Sequence, residues 1–199
     1  MLRNRHGFSL VEAIVVMLLI AVVASVAVPR ALKPSPARQV ELAARALARD
    51  LELLRMRAIA AKRQVRVRFY AAERFYSAFM DTTALRTGAI AETGGEVEAS
   101  RLLARGSSGG VPGVQLPRGI EFGTGIATVG PPGYEASGPL VLADGDYVEF
   151  DSRGMVVPPG SGGVIYLTHE ELTSAVAAVT ITGASAFRAW VFRGGEWTK

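Results

Sequence analysis

The spacing of apolar residues changes its period along the chain, and each change predicts an element. From Phe8 to Val28 the sequence FSLVEAIVVMLLIAVVASVAV is apolar with one charged exception, Glu12. As a helix rising about 1.5 Å per residue, this run reaches about 32 Å, enough to cross a hydrocarbon core of roughly 30 Å. Pro34 and Pro36 follow, and since proline lacks an amide donor and disfavours helix in the residue before it, a kink or break is predicted over 30–36. From Ala37 the positions Val40, Ala44, Leu47, Leu51, Leu54, Ala58 and Ala61 recur at spacings of three and four, with Arg38, Glu41, Arg45, Arg49, Glu52 and Arg63 mostly off that line. This is the stripe of an amphipathic helix made to lie on a sheet.

At Gln64 the period falls to two: Val65, Val67 and Phe69 share one face, Arg66, Arg68 and Tyr70 the other. A turn at 71–74 and a returning strand from Phe75 to Met80 complete a predicted hairpin. From Asp81 to Pro117 long apolar runs give way to Gly, Ser, Thr and Glu, which predicts an insertion without clear elements. Short strands are predicted at 119–122, 140–142, 147–150, 164–168, 175–182 and 186–192, separated by glycine-bearing turns such as Asp144-Gly145. The whole reads as α+β: a long amino-terminal helix packed on a mostly antiparallel sheet.

Composition narrows the chemistry. The 199 residues leave room for one ordinary domain beyond the apolar run. There is no cysteine, so disulfides and thiol chemistry are excluded, and of the two histidines His6 lies near the start, leaving His169 in the body of the chain. The net charge of +4 is unevenly spread. Residues 37–74 carry 10 basic and 4 acidic side chains, whereas 75–199 carry 8 and 13. Such poles favour head-to-tail association as readily as binding to DNA.

Three readings compete for the amino-terminal run. Arg3 and Arg5 with the small-x-small tripeptide Ser25-Val26-Ala27 suit a cleaved secretory signal, but the uncharged stretch is long for one and Glu12 falls inside it. A plain membrane anchor explains the length and leaves the carboxylate unexplained. The third uses every feature: a short basic leader ending in Gly7, then Phe8-Ser9-Leu10-Val11-Glu12 opening a long apolar helix, resembles the class III signal of type IV pilins and type II secretion pseudopilins.

The resemblance implies that prepilin peptidase cuts after Gly7, that Phe8 becomes an N-methylated amino terminus, and that Glu12 meets the terminal charge of a neighbouring subunit during assembly. It implies a leader over 1–7, a transmembrane and assembly helix over 8–29, a proline-containing break over 30–36 and a periplasmic pilin-like domain over 37–199. The order of helix, arginine-rich hairpin, variable middle, Phe150 to Gly154 as Phe-x-x-x-Gly, and closing hairpin is similar to the GspH/FimT group of minor pseudopilins and minor pilins. By that resemblance the chain is a structural subunit and no enzyme. Its partners are the peptidase, other pseudopilins or minor pilins, the inner-membrane assembly platform and inner-membrane lipid, and it needs no cofactor.

Other motifs carry less. Gly106 to Gly110 reads G-x-S-x-G, but it lies in a Gly/Ser stretch without the strand-to-helix turn that a nucleophile elbow requires. Gly123-Thr124-Gly125 lacks the third glycine of a dinucleotide fingerprint. Asp144 and Asp146, with Glu149 and Asp151 nearby, offer oxygen ligands of the kind calcium takes. Their spacing is not that of an EF-hand, and an acidic turn accounts for them, so no metal site is assigned. Candidate contacts to DNA are Arg66 and Arg68 on one strand face, and Arg188 and Arg193 near the carboxy terminus. Family members that bind DNA do so through a basic carboxy-terminal stretch, and the dense cluster is missing here. Nucleic acid is therefore possible and not favoured, with protein export placed ahead of DNA uptake.

Overall fold

The computed structural model describes residues 9–31, 34–83, 88, 90–92, 99 and 101–199. The chain divides into a first unit ending at Ser35 and a second unit from Pro36 to Lys199. The first contains α1, Leu10–Ala31, with Glu12 in its first turn. The helix runs through Pro29 to Ala31, past the predicted start of the break. So close to its end, the donor that proline lacks removes only one of the last hydrogen bonds. Pro34 and Ser35 are non-helical, and Pro36 opens the next helix at a first-turn position where a missing donor has no partner to lose. Counted over the described residues alone, no helix is long and apolar enough to cross a membrane. The 22 residues of α1 rise about 33 Å.

The second unit begins with α2, Pro36–Ala61. Val40, Ala44, Leu47, Leu51, Leu54 and Ala58 are each at most 1% exposed, as the three-and-four spacing requires. The helix closes on Lys62 in the left-handed conformation, with Lys62 N donating to Ile59 O at 3.2 Å and Arg63 N to Ala58 O at 3.1 Å. That pair of bonds satisfies carbonyls which the helix itself leaves unpartnered.

Twelve strands follow among the described residues: β1 Val65–Tyr70, β2 Phe75–Met80, β3 Gly106–Ser108, β4 Val111–Gln115, β5 Ile120–Phe122, β6 Leu140–Val141, β7 Tyr147–Phe150, β8 Val156–Val157, β9 Gly163–His169, β10 Leu172–Ile181, β11 Phe187–Arg193 and β12 Glu196–Thr198. They form two antiparallel sheets and not the single sheet expected, one in the order β3-β4-β2-β1-β7-β8 and one in the order β12-β11-β10-β9-β5, with β6 also on β9. The division arises because β7 returns to pair with β1, far earlier in the chain, while β9 to β11 pair among themselves. α2 packs on β9, β10, β11 and β1, and one core joins Leu47, Leu51 and Leu54 to Phe69, Phe150, Leu167 and Val179.

Within the predicted insertion, residues 106–115 form regular structure that their composition does not suggest. β3 and β4 form a hairpin turned by Gly109 and Gly110, both with positive φ (55° and 81°), the two-residue geometry that matches strand twist. The G-x-S-x-G pattern is this hairpin, and Ser107 and Ser108 pair with Pro112 and Val111. Three-residue strands containing Gly and Ser have too few apolar positions to show a period, so sequence alone reads them as loop.

Candidate functional site

Glu12 is exposed on α1 and has no hydrogen-bond or ion-pair partner among the described residues. A carboxylate in the first turn is favoured by the helix dipole. Gly7 and Phe8, the predicted cleavage pair, lie outside the described residues.

The polar face of β1 carries the first two candidate cations, and both are committed. Arg66 lies directly across from Glu149 in the β1–β7 register. Its Nε donates to Glu149 Oε1 at 2.6 Å and its Nη1 to Glu92 Oε1 at 2.7 Å. Burial works against its charge, but the hydrogen bonds to Glu92 and Glu149 outweigh it and hold the guanidinium above its usual pKa. Arg68 pairs with Glu92 at 3.2 Å and Asp146 at 3.8 Å. Both guanidinium groups stack over the Tyr147 ring, at 4.4 and 5.3 Å from its centre. Two cations thus face three carboxylates, a poor arrangement for attracting phosphate. Glu92, from the insertion, was not singled out in the sequence; complementary charges on the polar faces of β1 and β7 were the available signal for Glu149.

Arg188 is exposed, and its guanidinium lies 5.9 Å from the centre of the Trp190 ring, with Lys199 Nζ at 5.3 Å from the same ring. Arg193 lies at the other end of β11 and pairs with Glu41 of α2 at 3.2 Å. The four candidate arginines therefore belong to three separate environments.

The remaining acidic and polar groups have local duties. Asp151 accepts from the backbone N–H of Arg153 and Met155 at 2.8 and 2.9 Å. Burial would raise its pKa, but those bonds and the Arg153 guanidinium hold it below the usual carboxylate range. Gly154 completes this turn with φ +77°, and a β-carbon there would lie 2.7 Å from Ile59 Cδ1 of α2, so the Phe-x-x-x-Gly segment is shaped by close packing on the helix. His169 is buried and accepts from Glu171 N–H at 3.1 Å within the β9–β10 turn. Among the described residues no three His or acidic side chains are grouped to hold a metal.

One further cluster ties the insertion to the helix. Tyr76 donates to Asp50 Oδ2 at 2.5 Å, and Arg105, just before β3, also bonds Asp50. Burial, reinforced by the Asp50 charge, pushes the Tyr76 phenol far up, so it remains a donor.

Residues 2–28 match the prokaryotic N-terminal methylation motif. The chain has a prepilin-type amino terminus. This match bears out the resemblance to a prepilin signal, and the prepilin-type segment precedes an α+β domain. No protein of curated function matches the sequence. Among solved structures the chain is similar to the type IV minor pilin FimU of Pseudomonas aeruginosa strain PAO1 in space group P21 (TM-score 0.43, 12% identity, covering 81% of this chain and 94% of that one). It is likewise similar to the minor pseudopilin EpsH from the Type 2 Secretion System of Vibrio cholerae (TM-score 0.45, 14% identity, covering 79% and 99%).

Proposed function

We propose that this prepilin-type chain is a minor pseudopilin of the GspH/FimT kind, a structural subunit of a type II secretion pseudopilus acting in protein export. The observation that carries the reading is the methylation motif over residues 2–28, placed ahead of an amphipathic helix that lies on antiparallel sheets. On this reading α1 spans the inner membrane before assembly and enters the filament core afterwards, the second unit is periplasmic, and the chain catalyses no reaction. Prepilin peptidase, other pseudopilins and the inner-membrane platform are its partners.

Glu12 tests the assembly role. Glu12→Val removes a carboxylate whose insertion costs about 2.5–3.5 kcal/mol at the centre of a lipid-facing helix and less near its end. Membrane insertion is therefore unharmed or improved, while incorporation into filaments and secretion fall to background. Cell fractionation and filament shearing read the two separately, and normal incorporation of the variant would make the carboxylate incidental.

The second reading, a minor type IV pilin that binds DNA for uptake, is favoured by the exposed Arg188 and Lys199 around Trp190. Against it stand the commitment of Arg66, Arg68 and Arg193 to carboxylates and the small number of cations left to release phosphate counterions. Duplex DNA is expected to bind weakly or not at all at physiological salt in a mobility-shift titration. Tight binding lost in an Arg188→Ala, Arg193→Ala double variant would put uptake ahead of secretion.

A further inference from the structure

β11 has a neighbour along its whole length on one side and along only half of it on the other. It pairs with β10 from Phe187 to Phe192, whereas β12 covers only Val191, Phe192 and Arg193. No described strand lies beyond 187–190 on the β12 side. Successive residues of an antiparallel strand aim their backbone groups at opposite neighbours, and two bonds fix which residues face which way. Ala186 O accepts from Thr182 N, next to β10, at 3.0 Å, and Val191 O accepts from Thr198 Oγ1 of β12 at 3.3 Å. Even-numbered residues of β11 therefore face β10 and odd-numbered ones face away from it. The N–H and C=O of Phe187 and Ala189 form an open strand edge.

The side chains agree with this. Phe187 and Ala189 pack against the core yet stay half-buried, whereas Ala175–Ile181 of β10, with a strand on either side, are buried throughout. Strand edges are ordinarily blunted by proline, by inward-pointing charge or by a cover. β8, at the edge of the other sheet, is followed at once by Pro158. The 187–190 edge has no proline, and its one charge, Arg188, stands on the outer face near the Trp190 ring, with Lys199 on the same ring. The acid of the same ladder, Glu196, lies opposite Arg193 at the far end of β12.

We propose that this edge receives an extended segment of another protein as an added strand, antiparallel to β11 and continuing the ladder that β12 begins. Residues of the segment opposite Phe187 and Ala189 would be apolar, because they join the core face, and the residue opposite Arg188 would be acidic. This is strand addition with specificity from alternate side chains. A second copy of β11 fits poorly. Pairing Phe187 with Ala189 of the copy sets Arg188 against Arg188 of the copy, and like charges directly opposite are destabilising. Nucleic acid could meet Arg188 and Lys199, but it has no ladder of amides to match the edge. The edge belongs to the second unit alone, so it stands whichever assembly the chain serves.

The probe is an end-blocked peptide of alternating isoleucine and glutamate, added to the full chain in detergent micelles and read by amide hydrogen exchange. It is expected to slow the Phe187 and Ala189 amides and to leave β9 and β10 unchanged. The same peptide N-methylated at its isoleucine amides keeps the side chains but loses the ladder donors, and it is expected to give no protection. Alternating isoleucine and lysine is expected to bind more weakly, with Arg188→Glu reversing that preference. Ala189→Pro removes a donor from the open side only, where an edge strand tolerates proline. Its fold is expected to survive, read by unchanged exchange in β9 and β10, while affinity falls at least about fivefold for the lost backbone bond. Should that variant unfold, the N-methylated peptide still decides the matter on the native chain. Absence of protection at Phe187 and Ala189, or equal protection by the N-methylated peptide, overturns the proposal. So does the same protection by single-stranded or duplex DNA, which would make the face a nucleic-acid surface.

Discussion

Chain recovered from cells that contain prepilin peptidase begins at N-methylated Phe8, and replacing Gly7 by a bulky residue leaves it uncut. The expectation follows from the methylation motif over residues 2–28, within which the sequence carries a basic stretch up to Gly7 and an apolar run from Phe8. On the proposed reading the basic side chains of the leader would stay on the cytoplasmic side and the apolar run would enter the bilayer, which would put the junction within reach of a membrane-embedded peptidase. Glycine has no side chain to obstruct a protease cleft, and a branched or aromatic replacement fills that space. The effect is expected to be close to all-or-none, because a side chain that does not fit the cleft blocks the single cut on which the mature terminus depends. Intact-mass spectrometry reads it directly: removal of residues 1–7 plus one methyl group in the native chain, and the full precursor mass in Gly7→Leu. A mature terminus at Val28, or a native chain that keeps Met1, would restore the secretory-signal or plain-anchor reading.

Phe150→Ala is expected to destabilise the second unit by about 3–5 kcal/mol, the range for emptying a buried aromatic site. Phe150 is fully buried, meets Phe187 edge-on at 5.7 Å and 90°, and lies opposite Val65 in the β1–β7 register. It joins three parts of the fold, since β7 belongs to one sheet, Phe187 opens β11 of the other, and the turn that follows packs Gly154 against α2. Deleting the ring leaves a hole that none of the three can fill without moving the others. A loss of this size is a large share of the roughly 5–15 kcal/mol by which domains are stable. Urea unfolding of the full chain in detergent, followed by the fluorescence of Trp190 and Trp197, measures it. A cost below about 1 kcal/mol would show that the site collapses and that Phe150 does not unite the sheets.

Charge placement was the least legible feature in the sequence. Arg66 and Arg68 stand out as a basic strand face, which is why they are natural candidates for DNA. Their neutralisation depends on Glu149, 83 residues away and opposite Arg66 only through the β1–β7 register, and on Glu92 in an insertion with no readable period. The same holds for Arg193, whose partner Glu41 is 152 residues earlier. Pairing across such separations is decided by which strands become neighbours, and local pattern has no access to that. Tyr76 and Arg105 illustrate the same limit, since their meeting at Asp50 joins a strand, an insertion and a helix.

What the sequence by itself determined was everything written in a local period or a fixed spacing. The leader with Gly7, Phe8 and Glu12 is contiguous, the stripe of α2 repeats with the helical turn, and the alternation of Val65, Val67 and Phe69 repeats with the strand pleat. Each is a property of neighbouring residues and shows in the order of side chains alone. Tertiary structure decided the division into two sheets, the hairpin of β3 and β4, and the surroundings of every candidate cation. These depend on long-range pairings chosen by the burial of a shared core, so chemically similar arginines end differently. Arg66 is held among carboxylates, Arg193 leans on a buried glutamate, and Arg188 is left at the surface beside a tryptophan.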